Sequence, residues 1–133
     1  MMRTRWIPGP AADTEGPVLV SVTEFTGDAF RDVPAIYRAG QELSRAWPRL
    51  DGAVGMWLWA RPLGRASGSV SVWEDEAALR RFVSWAPHVA IVRRFRDRGR
   101  VRATTWHADR FAGDEAWREA VRFLEDRTAP APT

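Results

Sequence analysis

The sequence contains no cysteine, no lysine and no asparagine. Without cysteine the chain cannot form disulfides, thiolate metal sites or a nucleophilic thiolate, and this absence is compatible with a reducing compartment. No apolar run approaches the ~20 residues that a membrane-spanning helix requires. The sequence therefore predicts a soluble, cytoplasmic protein that does not interact with a membrane.

All 20 basic residues are arginine, and 17 acidic residues leave a formal net charge of +3. Arginines cluster between residues 93 and 102, where they could form an anion-binding or nucleic-acid surface. The same cluster lies at the end of a predicted helix, where the helix dipole favours cations. Because the acidic residues are spread along the whole chain, we expect no nucleic-acid partner.

The hydrophobic pattern predicts one domain over residues 17–126, preceded by a flexible leader (1–16) and followed by a disordered tail (127–133). Alternating and helical patterns follow each other in the order β-α-β-β-α-β, and a further helix comes last. This order is typical of the ferredoxin-like α+β fold. The predicted strands are 17–25, 51–62, 69–73 and 100–108, and the predicted helices are 32–47, 75–85, 88–98 and 113–127.

Two local signals mark the ends of helices. Asp32 is predicted to cap the first helix, and Pro48 follows it. The acidic run 74–76 is predicted to begin the second helix, because acidic side chains are favoured at the positive end of the helix dipole. An acidic catalytic cluster is the alternative interpretation of that run. Pro87 interrupts the helical pattern before residue 88.

Alternation divides each predicted strand into two faces. We assign one aliphatic set to the face under the helices; it comprises Val18, Val20, Val22, Val54, Met56, Leu58, Val70, Val72, Val101 and Ala103. We assign the other set, which mixes hydroxyls with four indoles, to the opposite face; it comprises Ser21, Thr23, Phe25, Trp57, Trp59, Arg61, Ser69, Ser71, Trp73, Arg102, Thr104 and Trp106.

The indole-rich face needs a cover, because four exposed indoles would exceed the apolar patches that soluble monomers usually show. A second copy of the same sheet is the simplest cover, which predicts a two-fold homodimer. In the alternative arrangement the tryptophans lie under the helices and line a pocket, because a register shift of one residue exchanges the faces. Either arrangement predicts a site for a small hydrophobic molecule, unless the tryptophans are only core and interface residues.

Few side chains can carry acid–base chemistry. His88 is one of two histidines and could act as a base, an acid or a metal ligand near neutral pH, or it could be a capping residue. Tyr37, the only tyrosine, could donate a hydrogen bond to a phenolate or peroxide oxygen. Arg81 could bind an anionic group at the pocket mouth. No carboxylates accompany the histidines at ligand spacing, so we predict no metal site.

The stretch SVWEDEAALRRFVSWAPH, residues 71–88, resembles the antibiotic biosynthesis monooxygenase-like superfamily of dimeric α/β barrels, and within it the spheroidene-monooxygenase-like branch. The TTW strand at 104–106 and the AWREA helix at 116–120 extend this resemblance. It implies a dimeric α/β barrel in which the strand-end tryptophan, here Trp73, borders the pocket. Members that oxidise phenolic polyketides often use an asparagine on an early strand, which this chain lacks.

The resemblance implies a cofactor-independent monooxygenase-like enzyme, or an isomerase or cyclase, that acts on a hydrophobic aromatic or polyketide-like substrate. One alternative is a haem protein with His88 as axial ligand, although the histidine of haem-degrading members lies closer to the tryptophan. Another alternative is a non-catalytic binding or dimerisation domain. Under the favoured hypothesis His88 is the catalytic base, and the substrate is bound by Trp73, Trp59, Trp57, Trp106, Ser71, Tyr37 and Arg81.

Overall fold

A computed structural model of the chain, which describes residues 1–126, has one antiparallel sheet with helices on both of its faces. The strands are β1 (Met2–Arg3), β2 (Ile7–Pro8), β3 (Val18–Gly27), β4 (Ala53–Arg61), β5 (Ala66–Trp73) and β6 (Gly99–Ala108). The sheet order is β1-β4-β5-β3-β6, and β2 also pairs with β4. The ferredoxin-like βαββαβ order with an extra C-terminal helix is confirmed. The helices are α1 (Asp32–Ser44), α2 (Glu76–Ser84), α3 (Ala86–Phe95) and α4 (Gly113–Glu125).

The tail 127–133 falls outside the described residues. Within residues 1–126, none of the helices combines the length and the apolar character needed to cross a membrane.

The acidic run before α2 is a helix cap, as predicted. Asp75 has extended backbone, and its Oδ1 accepts a hydrogen bond from the Ala78 N–H at 2.8 Å. Such a side-chain cap satisfies one of the amide groups that have no partner within the helix. Pro87 occupies the first turn of α3, where proline is tolerated because its missing N–H is not needed.

The prediction for Asp32 was wrong. Asp32 is the first residue of α1 and Arg31 occupies the cap position, where no side chain from residues 1–126 caps the helix. The carboxylate of Asp32 is buried and lies 3.6 Å from the Arg98 guanidinium. It therefore ties the start of α1 to the segment between α3 and β6.

The predicted grouping of the strand faces was correct for β3 and β5 and wrong for β4 and β6. The register pairs Trp57 with Val70 and Trp106 with Val20, so both indoles share a face with the valines. Met56 and Leu58, predicted to accompany the valines, pair with Ser71 and Ser69 instead. Alternation fixes the two faces within one strand, but inter-strand register decides which faces join.

The valine-and-indole face is covered by this chain's own elements. Helix α4 buries Ala116, Ala120 and Leu124 against it, and Trp59 beneath is fully buried. The small alanine side chains allow the helix to approach the sheet closely. The four indoles are therefore not exposed together, so an uncovered face gives no reason to expect a homodimer. The homodimer itself stays a prediction.

The first residues pair with the sheet and do not form the predicted flexible leader. β1 and β2 both pair with β4. The Trp6 ring lies 4.5 Å from the Trp57 ring and 4.8 Å from the Phe111 ring, centroid to centroid. Glycine at position 55 makes room for Trp6, because a Cβ there would overlap the Trp6 ring. The segment 2–8 therefore closes the edge of the α4-covered core.

We predict that Trp6→Ala lowers the free energy of unfolding by about 2 kcal/mol, since it removes a large aromatic contact from this core. Chemical denaturation measures the change. Arg5→Ala, at an exposed position next to Trp6, is the matched control and should change the stability by less than ~0.5 kcal/mol. Equal stabilities for the two variants would mean that the segment is not docked in solution.

Candidate functional site

A cavity of about 170 Å³, partly open to solvent, lies between the sheet and helices α1, α2 and α3. Its volume is close to that of the ~150 Å³ cavity that accommodates benzene in another protein. It can therefore hold roughly one aromatic ring. The cavity lies on the face opposite α4 and is separated from the α4-covered core by the sheet itself.

The floor of the cavity is a row of hydroxyl side chains. The register sets Ser21 opposite Ser71 and Thr23 opposite Ser69 on the two central strands. Small side chains under three helices leave space that larger residues would fill. The hydroxyls that line the floor are Ser21, Thr23, Ser67, Ser69 and Ser71.

Aromatic and aliphatic side chains form the walls. Trp47, in a short 3₁₀ helix (Trp47–Arg49) after α1, lies 5.0 Å from the Phe82 ring, centroid to centroid. Tyr37 comes from α1 and is half-buried. Apolar walls with a few polar groups are the usual composition of a small-molecule site. The remaining wall residues include Phe25, Ile36, Leu43, Met56, Leu58, Leu79 and Ile91.

His88 lines the cavity from α3. Its Nδ1 lies 3.0 Å from the carbonyl oxygen of Val83. Because a carbonyl oxygen only accepts hydrogen bonds, Nδ1 carries the proton in the neutral ring, and Nε2 carries the lone pair. Burial lowers the pKa of the imidazole below its ordinary value of 6.5, and the hydrogen bond to Val83 acts in the opposite direction. A neutral imidazole with an available Nε2 can accept a proton.

Ser71 and Trp73 are coupled by a buried hydrogen bond. The indole Nε1–H of Trp73 donates to Ser71 Oγ at 2.9 Å. Trp73 is fully buried and does not line the cavity, but its ring packs against the wall residues Trp47 and Phe82 at 5.0 and 5.1 Å. The strand-end tryptophan thus supports the cavity from behind.

Three of the eight predicted site residues line this cavity, and five do not. Tyr37, Ser71 and His88 line it. Trp57, Trp59 and Trp106 lie on the opposite face, so their predicted place beside the serines was wrong. The physical reason is the register of β4 and β6 described above.

Arg81 also lies away from the cavity. Its exposed guanidinium lies 3.7 Å from the exposed Asp51 carboxylate. Helix α2 turns Leu79, Phe82 and Val83 toward the cavity, and position 81 falls on its outer side. The predicted contact of Arg81 with an anionic substrate group has no support in this arrangement.

Sequence reasoning missed Trp47 and Phe82 as wall residues. Position 47 was only the last residue of the predicted helix 32–47, and Phe82 lay within the predicted helix 75–85. A signal for both existed, because the small residues of β3 and β5 require large partners from the helices above them to bury the sheet. The indole N–H of Trp47 is buried without a partner among residues 1–126.

No metal cluster is formed by the described part of the chain, since nowhere in it do three histidine, aspartate or glutamate side chains converge. The haem alternative requires a larger cavity than this one. Space for about one ring does not admit the four linked pyrroles of a porphyrin while α1, α2 and α3 hold these positions. His88 could ligate iron through Nε2, but the cavity does not fit haem.

Comparison with known proteins relates the chain to solved structures alone. No protein-family model and no curated protein matches it. A cofactor-independent oxygenase from Streptomyces nogalater, SnoaB, aligns with a TM-score of 0.54 and 17% identity, over 72% of this chain and 97% of that chain. A candidate antibiotic biosynthesis monooxygenase from Nitrosomonas europaea aligns with a TM-score of 0.62 and 8% identity, over 71% and 93%.

A third structure, a candidate antibiotic biosynthesis monooxygenase from Deinococcus radiodurans, aligns with a TM-score of 0.62 and 9% identity, over 71% of this chain and 96% of that chain. The resemblance to antibiotic biosynthesis monooxygenase-like proteins is therefore confirmed as a likeness of fold. The narrower likeness to the spheroidene-monooxygenase-like branch stays a prediction.

We predict that His88 titrates below 6.5 and is neutral at pH 7 with the proton on Nδ1. Because the pKa is lower in the folded chain, the unfolded chain binds this proton more readily, so His88 lowers the stability as the pH falls below about 6.5. Nitrogen-15 NMR of the imidazole measures the pKa and the tautomer, and His107→Gln removes the other imidazole signals. A proton on Nε2, or a pKa above 6.5, would contradict the geometry.

Proposed function

We propose that this chain is a cofactor-independent monooxygenase-like enzyme whose substrate is a small aromatic molecule that ionises to an enolate or phenolate. The observation that carries the proposal is the cavity itself, in which His88, hydrogen-bonded through Nδ1 to the Val83 carbonyl, shares space with a row of hydroxyls. The cavity volume restricts the enclosed part of the substrate to about one ring. A fused polyketide would have to project from the open side.

The chemistry requires only a base, hydrogen-bond donors and exclusion of water. His88 Nε2 removes a proton from an activated CH₂ group, and the resulting carbanion is the enolate or phenolate. This anion transfers electrons to O₂ and forms a C–O bond, and the peroxide oxygen takes up the proton. Loss of water, with the second proton of the CH₂ group, leaves a carbonyl. One O₂ is consumed, and one oxygen atom enters the product while the other leaves as water.

The similarity in fold to SnoaB supports this chemistry, because that protein is an oxygenase that needs no cofactor. The apolar walls support it as well. In a site of low polarity a developing anion interacts more strongly with hydrogen-bond donors than it does in water. Tyr37, which lines the cavity from α1, would donate one such bond.

A non-catalytic binding domain is the second candidate. The same cavity would then bind the aromatic molecule without turning it over. One observation favours this candidate: among the cavity-lining residues that the structure describes, His88 and Tyr37 are not accompanied by any further acid–base group. Binding without oxygen consumption would decide in its favour.

We also propose that the chain forms a homodimer through β6. Within the described residues β6 pairs with β3 alone, so its other edge is unpaired, and its Val101 is 60% exposed. An unpaired strand edge is a template for pairing with another chain.

Light scattering should give twice the chain's mass, and Val101→Lys should reduce it to one chain's mass. The control Val92→Lys, also at an exposed valine, should remain dimeric; a monomeric wild type would contradict the proposal.

The activity test uses indan-2-one, which has one aromatic ring and an acidic CH₂ group, and anthrone, which has three fused rings. We expect the protein to accelerate oxygen uptake with indan-2-one, at one O₂ per substrate, more than with anthrone. His88→Gln should lower the rate about 100-fold, the usual effect of removing a general base. An oxygen electrode measures both rates.

The control for this test is His107→Gln, because His107 is exposed and lies outside the cavity. That variant should keep the wild-type rate. If His88→Gln turns over indan-2-one as fast as the wild type, His88 is not the base. If neither the wild type nor the His107→Gln variant accelerates oxygen uptake with either ketone, the oxygenase proposal fails.

A further inference from the structure

Ser71 differs from the other hydroxyls of the cavity floor, because its oxygen accepts a hydrogen bond from a neighbouring side chain. The Trp73 indole N–H donates to Ser71 Oγ. An indole N–H is a donor only, whereas a serine hydroxyl offers one proton and two lone pairs. The bond from Trp73 therefore occupies a lone pair of Ser71 and leaves its proton to be donated elsewhere. Among residues 1–126 no acceptor for that proton is in hydrogen-bond contact.

Trp73 is itself held rigidly. It is 0% exposed, and the rings of Trp47 and Phe82 pack against it. Ser71 is 5% exposed, and its backbone lies in the centre of the sheet, opposite Ser21 on β3 and Met56 on β4. A donor whose direction is fixed before the ligand arrives loses little conformational freedom on binding.

The cavity also lacks charge that could balance an anion. No carboxylate and no guanidinium is among its lining residues in the part of the chain that the structure describes. An enolate or phenolate bound there depends on hydrogen-bond donors for its stabilisation. Ser71 meets this requirement with a proton that is already directed away from Trp73.

We propose that Ser71 donates its hydroxyl proton to the oxygen anion of the bound aromatic molecule, and that Trp73 is the positioning residue that directs this proton. The inference rests on the proposed ligand class, an aromatic enolate or phenolate. It assigns the strand-end tryptophan a role through Ser71 and not through contact with the ligand. The ligand's oxygen lies at the sheet, and its acidic proton faces His88 on the helix layer.

The probe for this proposal is 4-nitrophenol, whose anion absorbs at longer wavelength than the neutral phenol, with nitrobenzene as the matched ligand without a hydroxyl. Ser71→Ala should weaken binding of the nitrophenolate about tenfold or more, because hydrogen bonds to charged groups are the strong ones. It should weaken nitrobenzene binding less than about threefold. It should also raise the pKa of the bound phenol, seen as less anion absorbance at a given pH.

Trp73→Phe keeps the ring and removes the N–H. We expect it to weaken nitrophenolate binding about threefold in the wild-type background and to have no further effect in the Ser71→Ala background, because the two residues act as one unit. The control is Trp59→Phe, which makes the same change at an equally buried indole on the other face, whose N–H has no hydrogen-bond partner among residues 1–126. That variant should bind nitrophenolate like the wild type.

A second measurement does not depend on whether Trp73→Phe folds. In Ser71→Ala the indole N–H of Trp73 loses its acceptor, so its NMR proton signal should shift upfield while the other indole signals stay in place. An unchanged signal would mean that the Trp73–Ser71 bond is absent in solution, which would overturn the proposal.

The binding outcomes separate this inference from the oxygenase proposal. Ser71-dependent binding of nitrophenolate without oxygen uptake from indan-2-one would support the role of Ser71 and reject the oxygenase. Equal losses for nitrophenolate and nitrobenzene in Ser71→Ala would reject Ser71 as the donor, whatever the activity. Failure of the wild type to bind nitrophenolate, or an effect of Trp73→Phe that persists without Ser71, would likewise overturn the inference.

Discussion

The register between β3 and β5 is the constraint on which the cavity depends. It aligns Ser21 with Ser71 and Thr23 with Ser69, so the small polar residues of both central strands lie on one face. Three helices cross above that face, and their large side chains cannot fill the space over so many small ones. The valines of the same strands face the other way, where Ala116 and Ala120 of α4 pack closely. One alternation therefore produces a dense core on one side of the sheet and a cavity on the other.

Much of the fold was predictable because the helices and strands carry strong local patterns. The four long strands and four helices were expected within a few residues of their observed bounds, and the acidic run 74–76 was recognisable as the start of a helix. The faces of β3 and β5 were also grouped correctly. These features depend on residues near each other in the chain, where capping and hydrophobic periodicity determine structure.

The faces of β4 and β6 could not be predicted in the same way. They were grouped by chemical similarity, with aliphatic residues together and indoles with serines, but the register joined Trp57 to Val70. An irregularity between Ala53 and Gly55 further shifts the alternation of β4, so that Val54 packs with the indoles. Docking of Trp6 depends on contacts with Trp57 and Phe111, which are both distant along the chain, and no local pattern reveals it.

The site residues show the same contrast between features that are local in the sequence and contacts that form only on folding. His88 and Tyr37 were identified because their chemistry is rare in this chain, and α1 and α3 bring both to the cavity. Ser71 was recognised by its place on a strand, but its hydrogen bond to Trp73 is evident only in the folded structure. Because the N–H of Trp73 already donates to Ser71 on its own strand, this tryptophan acts through Ser71 and not by donating to a ligand itself.

The claim that a single aromatic ring binds between the hydroxyl floor and helices α1 to α3 is tested most directly by crystallography. A crystal of the protein soaked with 4-bromophenol would locate the bromine by its anomalous scattering. The account predicts one bromine in the cavity, with the phenol oxygen within hydrogen-bond distance of Ser71 Oγ. A bromine on the α4 side of the sheet, beside Trp57 or Trp106, or an empty cavity in a fully soaked crystal, would contradict it.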